Sequence, residues 1–235
     1  MIEPAPPLVI AFDGDDTLWH SEVHFQAVQD RLRALAAPWL CGEELERRLL
    51  ATERANLTRY GYGVKSFTLS SLEVLLDASD GDLPGPAIGE LLGMAKELLD
   101  HPVELLDGVV ETLDSLAGRV RLVLITKGDL DHQWCKSEAS GLGPRFERTE
   151  VVPEKDPDTY RRIVTELQID PGRFLMVGNS ARSDILPVLE LGGQAVQIPY
   201  EVTWAHEHHD DEAHWPVLEE IGEVLSYVPE TGAAG

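Results

Sequence analysis

Five short apolar runs, separated by stretches with helical periodicity, constrain the fold of this chain more than any other feature. Each run is bounded by turn-forming or polar residues, which is typical of a strand buried on both faces. The runs are Leu8 to Phe12, Val120 to Ile125, Arg148 to Val152, Phe174 to Val177 and Ala195 to Ile198. Because strands alternate with helical patterns over most of the chain, the sequence predicts an α/β fold with a doubly wound parallel sheet.

The stretch 20–105 interrupts this alternation. It contains no strand pattern and instead carries four stripes of apolar residues at helical spacing. The stripes begin at Phe25, Leu45, Leu69 and Ile88. We therefore expect an all-α domain at about 20–105, inserted into a core formed by residues 1–19 and 106–235.

Composition limits the classes of partner. Hydrophobic residues make up 43% of the 235 residues, which is enough for a packed core. Asp and Glu number 42 against 19 Lys and Arg, a formal net charge of −23. Such a surface repels nucleic acid and anionic membranes, so we expect neither as a partner. A small phosphorylated ligand remains compatible, because a local positive site outweighs a distant negative field.

Cysteine usage and the chain ends predict a reduced, cytoplasmic protein. The two cysteines, Cys41 and Cys135, are too few for a disulfide framework and form no CxxC pair. The stretch Met1 to Pro7 lacks the basic and apolar regions of a signal peptide. No stretch approaches the roughly 18 apolar residues that a membrane-spanning helix needs.

Polar residues and glycines follow four of the five predicted strands, at the edge where ligands bind in a doubly wound sheet. They are Asp13, Gly14, Asp15 and Asp16 after the first strand, Thr126 and Lys127 after the second, Lys155 after the third, and Gly178, Asn179, Ser183 and Asp184 after the fourth. Crowded carboxylates need a cation between them, and oxygen ligands suit Mg²⁺. Hydroxyl, lysine and turn amide groups suit the oxygens of a phosphoryl group.

This set of residues resembles the haloacid dehalogenase superfamily of phosphohydrolases. The matching residues occur in the order of that family, each after an apolar strand. They are Asp13-x-Asp15-x-Thr17-Leu18, Thr126, Lys155 and Gly178-Asn179 with Ser183-Asp184. The resemblance covers the whole chain, because the predicted helical insertion falls where the family carries its first type of cap, which would close over the site and choose the substrate. It implies a Rossmann-like core and a Mg²⁺-dependent hydrolase acting on a small phosphomonoester.

The resemblance also implies a role for each matching residue. Asp13 would be the nucleophile that forms an aspartyl-phosphate, and Asp15 the general acid and then the general base. The implied metal ligands are Asp13, the backbone carbonyl of Asp15, Asn179 and Asp184. The implied phosphate-binding residues are Gly14, Thr126, Lys127 and Lys155. Lys127 would contribute either its backbone amide or a surface charge.

Two residues depart from the pattern of the family. Asp16 stands where glycine is most familiar, so we expect a turn that tolerates a side chain, which Asp does better than most residues. Asn179 stands where the family often has aspartate, and an amide oxygen brings no charge to a metal. Either Asn179 is a neutral ligand or Asp184 is the principal one.

The sequence is compatible with other functions to different degrees. Asp15 argues against a dehalogenase, because a halide leaves without a proton. A phosphonate-cleaving enzyme would need a Schiff-base lysine, and the insertion offers only Lys65 and Lys96. A phosphomutase and a non-catalytic phospho-ligand-binding protein are the alternatives. Whatever its function, we expect the protein to be a monomer or a homodimer. The histidines at 206–214 match no closed zinc pattern and are interpreted as part of a surface loop.

Overall fold

The computed structural model describes residues 6–200 and 214–229, which form two compact units. Among these residues, the first unit comprises the chain up to His20, Val103–Lys127 and the chain from Gln133 onward. The second unit comprises Ser21–Pro102 and Gly128–His132. No helix in the described ranges is long and apolar enough to cross a bilayer.

The first unit is built on a five-stranded sheet in which every pair of neighbours is parallel. Its strands are β1 (Val9–Phe12), β2 (Arg121–Lys127), β3 (Arg148–Val152), β4 (Phe174–Gly178) and β5 (Gln194–Gln197). The spatial order is β3-β2-β1-β4-β5. This confirms the predicted doubly wound parallel sheet. The chain proceeds outward from β1 to β3 and then crosses to β4, so the topological switch point lies between β1 and β4.

Both faces of this sheet are covered, as the continuous apolar runs predict. Ile10 and Phe12 belong to one buried cluster and Val9 and Ala11 to another, as expected from the two-residue period of a strand. The helices α5 (Val109–Leu116), α6 (Leu130–Ala139), α7 (Pro157–Glu166) and α8 (Leu186–Glu190) alternate with the strands. A π-helical turn, Ala181–Ile185, leads into α8, and 3₁₀ turns lie at Gly143–Arg145, Pro171–Arg173 and Ile221–Tyr227.

The second unit consists of four helices with a core of their own. They are α1 (Glu22–Ala36), α2 (Gly42–Tyr60), α3 (Val64–Ala78) and α4 (Gly85–Leu99). Each predicted helical stripe lies in one of these helices. The prediction for α3 was wrong in one respect, because Leu69, at which its apolar stripe begins, is exposed, as is Leu76. Phe67, Ser71 and Val74, spaced as neighbours on one helix face, are buried instead.

The second strand extends further than its apolar run. Thr126 pairs with Val151 and Lys127 with Val152, so both residues lie inside β2 and not after it, contrary to the sequence prediction. Ladder hydrogen bonds to β3 continue past the last apolar residue of the run, because they involve the backbone and not the side chain. Backbone pairing within β2 therefore fixes the positions from which the side chains of Thr126 and Lys127 project.

Candidate active site

Three charged side chains from three strand ends form the centre of the site. The Lys155 Nζ donates hydrogen bonds to Asp13 and to Asp184, the latter at 2.6 Å. Asp13 follows β1, and its backbone N–H bonds to the Val177 carbonyl of β4 at 2.9 Å. All three charged side chains are buried, with Asp184 fully so. The carboxylates flank the switch point of the sheet, where doubly wound proteins bind ligands.

Burial makes the charges of this cluster interdependent. Burial raises the pKa of the Asp13 carboxyl to about 8, and Asp184 and Asp15 add to the rise while Lys155 opposes it. Burial alone would lower the pKa of Lys155, but Asp13 and Asp184 outweigh that effect and raise it. The lysine is therefore a permanent cation. The single lysine therefore does not offset the combined effect of burial and of the neighbouring carboxylates on Asp13.

The backbone around the fourth strand places Asp184 against Asp13. The Ser180 N–H donates to Asp184 Oδ2 at 3.0 Å, and the Asp184 N–H donates to the Ser180 carbonyl at 2.9 Å. A Cβ at Gly178 would lie only 2.2 Å from Asp184 Oδ2, so only glycine leaves room for this carboxylate.

Asn179 is placed differently. It is half-buried, and its backbone carbonyl accepts a hydrogen bond from Gln197 Nε2 at 2.9 Å. Its side chain makes no hydrogen bond to any residue that the structure describes. Of the two alternatives at this motif, Asp184 is the one joined through Lys155 to Asp13, and the amide of Asn179 has no protein partner in the described ranges.

Asp15 is held by three donors. Its Oδ1 accepts hydrogen bonds from Trp19 Nε1 at 2.7 Å and Lys136 Nζ at 2.6 Å. Its Oδ2 accepts one from Gln133 Nε2 at 2.7 Å. Burial acts to raise the pKa of Asp15, but Lys136 and the hydrogen bonds outweigh it and the pKa is lowered. These three partners were not found from the sequence, where only a Gln-x-x-Lys spacing on α6 would have indicated two of them.

The geometry of the turn after β1 explains why Gly14 and Asp16 occupy it. Asp16 has a φ of 62°, so the prediction that this position needs a residue tolerant of turn geometry is confirmed. Its N–H donates to the Trp19 carbonyl at 2.7 Å. A Cβ at Gly14 would lie 2.6 Å from the Trp19 ring and 3.2 Å from Thr126 Oγ1. The Gly14 backbone therefore lies directly beside both side chains.

Thr126 and Lys127 differ in what they contact. The Thr126 hydroxyl is fully buried and has no hydrogen-bond partner within the described chain. A buried hydroxyl without a hydrogen-bond partner costs free energy unless a bound ligand provides that partner. Lys127 Nζ donates to Ser183 Oγ at 2.9 Å and lies 3.6 Å from Glu154. Its side chain is only 12% exposed, so the interpretation as a surface charge is wrong.

Ser183 and Tyr160 support the fourth motif. The Tyr160 hydroxyl donates to the Ser183 carbonyl at 2.9 Å, and the Ser183 N–H donates to Ser180 Oγ at 3.0 Å. Of the histidines at 206–214, only His214 is described, and it is exposed. His206, His208 and His209 lie outside the described residues.

The donor set at the centre fits Mg²⁺ better than a soft metal. Among the residues described, no cluster of three or more His, Cys, Asp or Glu side chains is arranged to hold a metal ion. The two buried carboxylates, Asp13 and Asp184, are hard oxygen donors of the kind that Mg²⁺ takes.

The fold and site together define an α/β protein with a doubly wound parallel sheet and a carboxylate–lysine centre at the switch point of that sheet. The sequence model of the haloacid dehalogenase-like hydrolases matches residues 8–192. The chain belongs to this family. No curated protein matches the chain.

Solved structures agree with this assignment. A haloacid dehalogenase-like hydrolase from Xanthomonas campestris is 37% identical, with a TM-score of 0.83 over 95% of this chain and 92% of that one. A predicted phosphoglycolate phosphatase from Haemophilus somnus (16% identity) and a 2-haloacid dehalogenase from Pseudomonas syringae pv. tomato (19%) both have a TM-score of 0.61, over 94% of this chain and 97% of theirs. The last two similarities show the fold alone; one of these proteins is described as a predicted phosphatase and the other as a dehalogenase.

Proposed function

We propose that this hydrolase is a Mg²⁺-dependent phosphatase that acts on a small phosphomonoester through an aspartyl-phosphate at Asp13. The observation that carries the proposal is the buried Lys155 that joins Asp13 to Asp184 at the switch point. The orphan hydroxyl of Thr126, beside the Gly14 backbone, supplies a donor for a phosphoryl oxygen. Lysine, hydroxyl and backbone N–H groups are the donors that phosphoryl groups need.

The reaction would proceed in two displacements. An Asp13 carboxylate oxygen attacks phosphorus, the new P–O bond forms, and the ester P–O bond breaks as its oxygen takes a proton from Asp15. Water then attacks phosphorus, giving its proton to Asp15, and the phosphate leaves as the Asp13–phosphorus bond breaks. Thr126 and Lys155 hold the phosphoryl oxygens through both steps, with Gly14 and Lys127 beside them.

The metal would be held by Asp13, Asp184 and the backbone carbonyl of Asp15, with Asn179 as a further oxygen donor. When bound, Mg²⁺ supplies positive charge that offsets the repulsion between the carboxylates and the transferring phosphoryl oxygens. The protein supplies the rest, since Lys155 keeps Asp13 and Asp184 in place and Gly178 leaves room for Asp184.

Asp15 favours an ester over a halogenated acid as the substrate. An alkoxide is a poor leaving group and needs a proton, whereas a halide leaves without one. The helices of the second unit are proposed to be the cap that selects the substrate. The free, exposed cysteines Cys41 and Cys135 support a reducing, cytoplasmic location. The net charge supports a small phosphorylated substrate over nucleic acid as the partner.

The test measures phosphate release from a panel of phosphomonoesters and a generic aryl phosphate, with Mg²⁺ and with a chelator. A parallel arm measures halide release from 2-haloacids. We expect phosphate release that depends on Mg²⁺ and no halide release. Halide release without phosphate release would make the protein a dehalogenase. Movement of labelled phosphate within a sugar phosphate, without release, would make it a phosphomutase, and binding without turnover would make it a non-catalytic binder.

A further inference from the structure

The contacts of the Asp15 carboxylate indicate how this residue is positioned for proton transfer, given the proposed phosphatase function. Its contacts come from the turn after β1 and from α6, which follows β2. Gln133 and Lys136 lie three residues apart and so share one face of α6. Gln133 is 4% exposed and the Lys136 side chain 14% exposed, so neither is an ordinary solvated surface residue.

The contacts distinguish the two oxygens of the Asp15 carboxylate. Each carboxylate oxygen has two lone pairs. Those of Oδ1 are both used, by Trp19 Nε1 and Lys136 Nζ. Among the described residues, Oδ2 accepts only from Gln133 Nε2, which leaves one lone pair for a proton. The side chain is 26% exposed, so a reacting group has access to it.

Trp19 and Gln133 are themselves fixed in place. The Trp19 side chain is fully buried and its ring lies against Gly14, where no Cβ would fit. The Gln133 amide also donates to the Lys127 carbonyl at the end of β2, at 3.2 Å. Reversing the amide would turn its oxygen toward two acceptors, Asp15 and the Lys127 carbonyl, so its orientation is set by both contacts.

One feature of Gln133 is costly for folding. Its Oε1 is buried without a partner in the described residues. An unsatisfied buried carbonyl costs free energy, and a protein that needed Gln133 only for packing would gain from an apolar residue of similar size. The orphan oxygen is explained if the N–H of this amide is needed at Asp15.

We infer that Gln133 and Lys136 are positioning residues that fix the Asp15 carboxylate so that Oδ2 exchanges the proton with the leaving group. Trp19 and Lys136 occupy Oδ1 and hold the carboxylate in one rotamer. Gln133 donates to one lone pair of Oδ2, and the second lone pair of Oδ2 remains available for proton transfer. A proton donor fixed in this way matters most for substrates whose leaving oxygen is strongly basic.

The test compares kcat/KM for an alkyl phosphate and for an aryl phosphate with an acidic phenol leaving group. This parameter reports the first displacement, in which the leaving group departs. We expect Lys136→Met and Gln133→Met to lower kcat/KM for the alkyl ester by about 10- to 100-fold and for the aryl ester by about threefold or less. Lys136→Arg, which keeps a cationic donor, should restore part of the alkyl activity.

Controls separate this inference from the proposed function. Lys96→Met removes an exposed lysine from α4 and should change neither substrate's kcat/KM. Thermal unfolding of each variant shows whether it folds. Equal losses for both esters, no loss, or a gain for the alkyl ester in the two Met variants would refute the inference while the function stands. If the unaltered protein releases phosphate from neither ester, the function and this inference both fail.

Discussion

At the scale of single residues, the site combines groups that stabilise the fold with groups that only a ligand would satisfy. Lys155 forms buried ion pairs with both Asp13 and Asp184 and offsets part of the repulsion between them. The Thr126 hydroxyl is buried and unpaired within the described chain, and its free energy cost is recovered only when a ligand accepts its hydrogen bond. Such residues lower the stability of the free protein for the sake of binding.

Thr126→Val tests this balance. Valine keeps the shape and removes the orphan hydroxyl, so we expect a protein as stable as the parent or about 1 kcal/mol more stable. The lost donor should lower kcat/KM for a phosphomonoester by about 10- to 100-fold. Denaturant unfolding and steady-state kinetics measure the two effects. A variant with unchanged kcat/KM would show that Thr126 does not contact the phosphoryl group.

Asn179→Asp tests the role of the amide in metal binding. The side chain of Asn179 has no partner among the described residues, so a carboxylate placed there would be available to a cation. We expect the Mg²⁺ concentration that gives half-maximal activity to fall severalfold, because the new ligand carries a charge. A Mg²⁺ titration that is unchanged would place position 179 away from the metal and leave Asp184 as the principal ligand.

At the scale of elements, the parallel strands explain how much of the site the sequence could predict. Asp13, Lys155 and Asp184 were found because parallel strands bring their carboxyl ends to one edge of a sheet. The contacts of Asp15 with Gln133 and Lys136 were missed, since they join residues 118 and 121 positions apart. They depend on which face of α6 is buried, and a short helix with polar residues on several sides does not reveal that face.

The boundaries of elements were predicted less well than their existence. The apolar run that predicts β2 ends at Ile125, but the strand continues through Lys127. Hydrophobicity reports burial, and backbone pairing does not require it. The exposed positions of Leu69 and Leu76 on α3 have a related cause. A helix rich in apolar residues offers more than one apolar face, and the packing of its neighbours decides which is buried.

Gly178→Ala tests the packing of β4 against Asp184. A methyl group would lie 2.2 Å from Asp184 Oδ2, so the carboxylate must move or the strand must shift. We expect a loss of about 2 kcal/mol or more in the free energy of unfolding and a large loss of activity. Gly89→Ala is the matched control, since its Cβ meets open space on α4 and should stabilise by about 0.5–1 kcal/mol. Equal stability changes in the two variants would contradict the tight contact.

At the scale of the whole molecule, two features stand out: separate hydrophobic cores and a strongly negative charge. The sheet has a buried cluster on each face, and the four helices of the second unit have their own. The net charge of −23 produces repulsion between surface carboxylates that exposed ion pairs, such as Arg31 with Glu97, offset only weakly. The doubly wound sheet was predicted correctly because its alternating pattern runs over most of the chain.

Salt should therefore stabilise this protein. Screening of the net negative charge reduces repulsion in the compact state more than it weakens the exposed ion pairs. We expect the Tm to rise by about 2–5 °C as NaCl increases from about 20 mM to 300 mM, in the absence of divalent ions. Thermal unfolding followed by circular dichroism measures the change. A falling Tm would mean that attractive ion pairs outweigh the net repulsion.

Asp13→Asn tests whether Asp13 is the nucleophile of a phosphoester hydrolysis, the role on which the proposed function depends. Asparagine keeps the size of the side chain and an oxygen that accepts from Lys155, so the fold should be retained in a thermal unfolding control. The assay measures phosphate release from the best ester of the panel, at saturating Mg²⁺. We expect a loss of about 10³-fold or more in the rate of phosphate release. A folded Asp13→Asn protein that releases phosphate at a rate near that of the parent would contradict this role of Asp13.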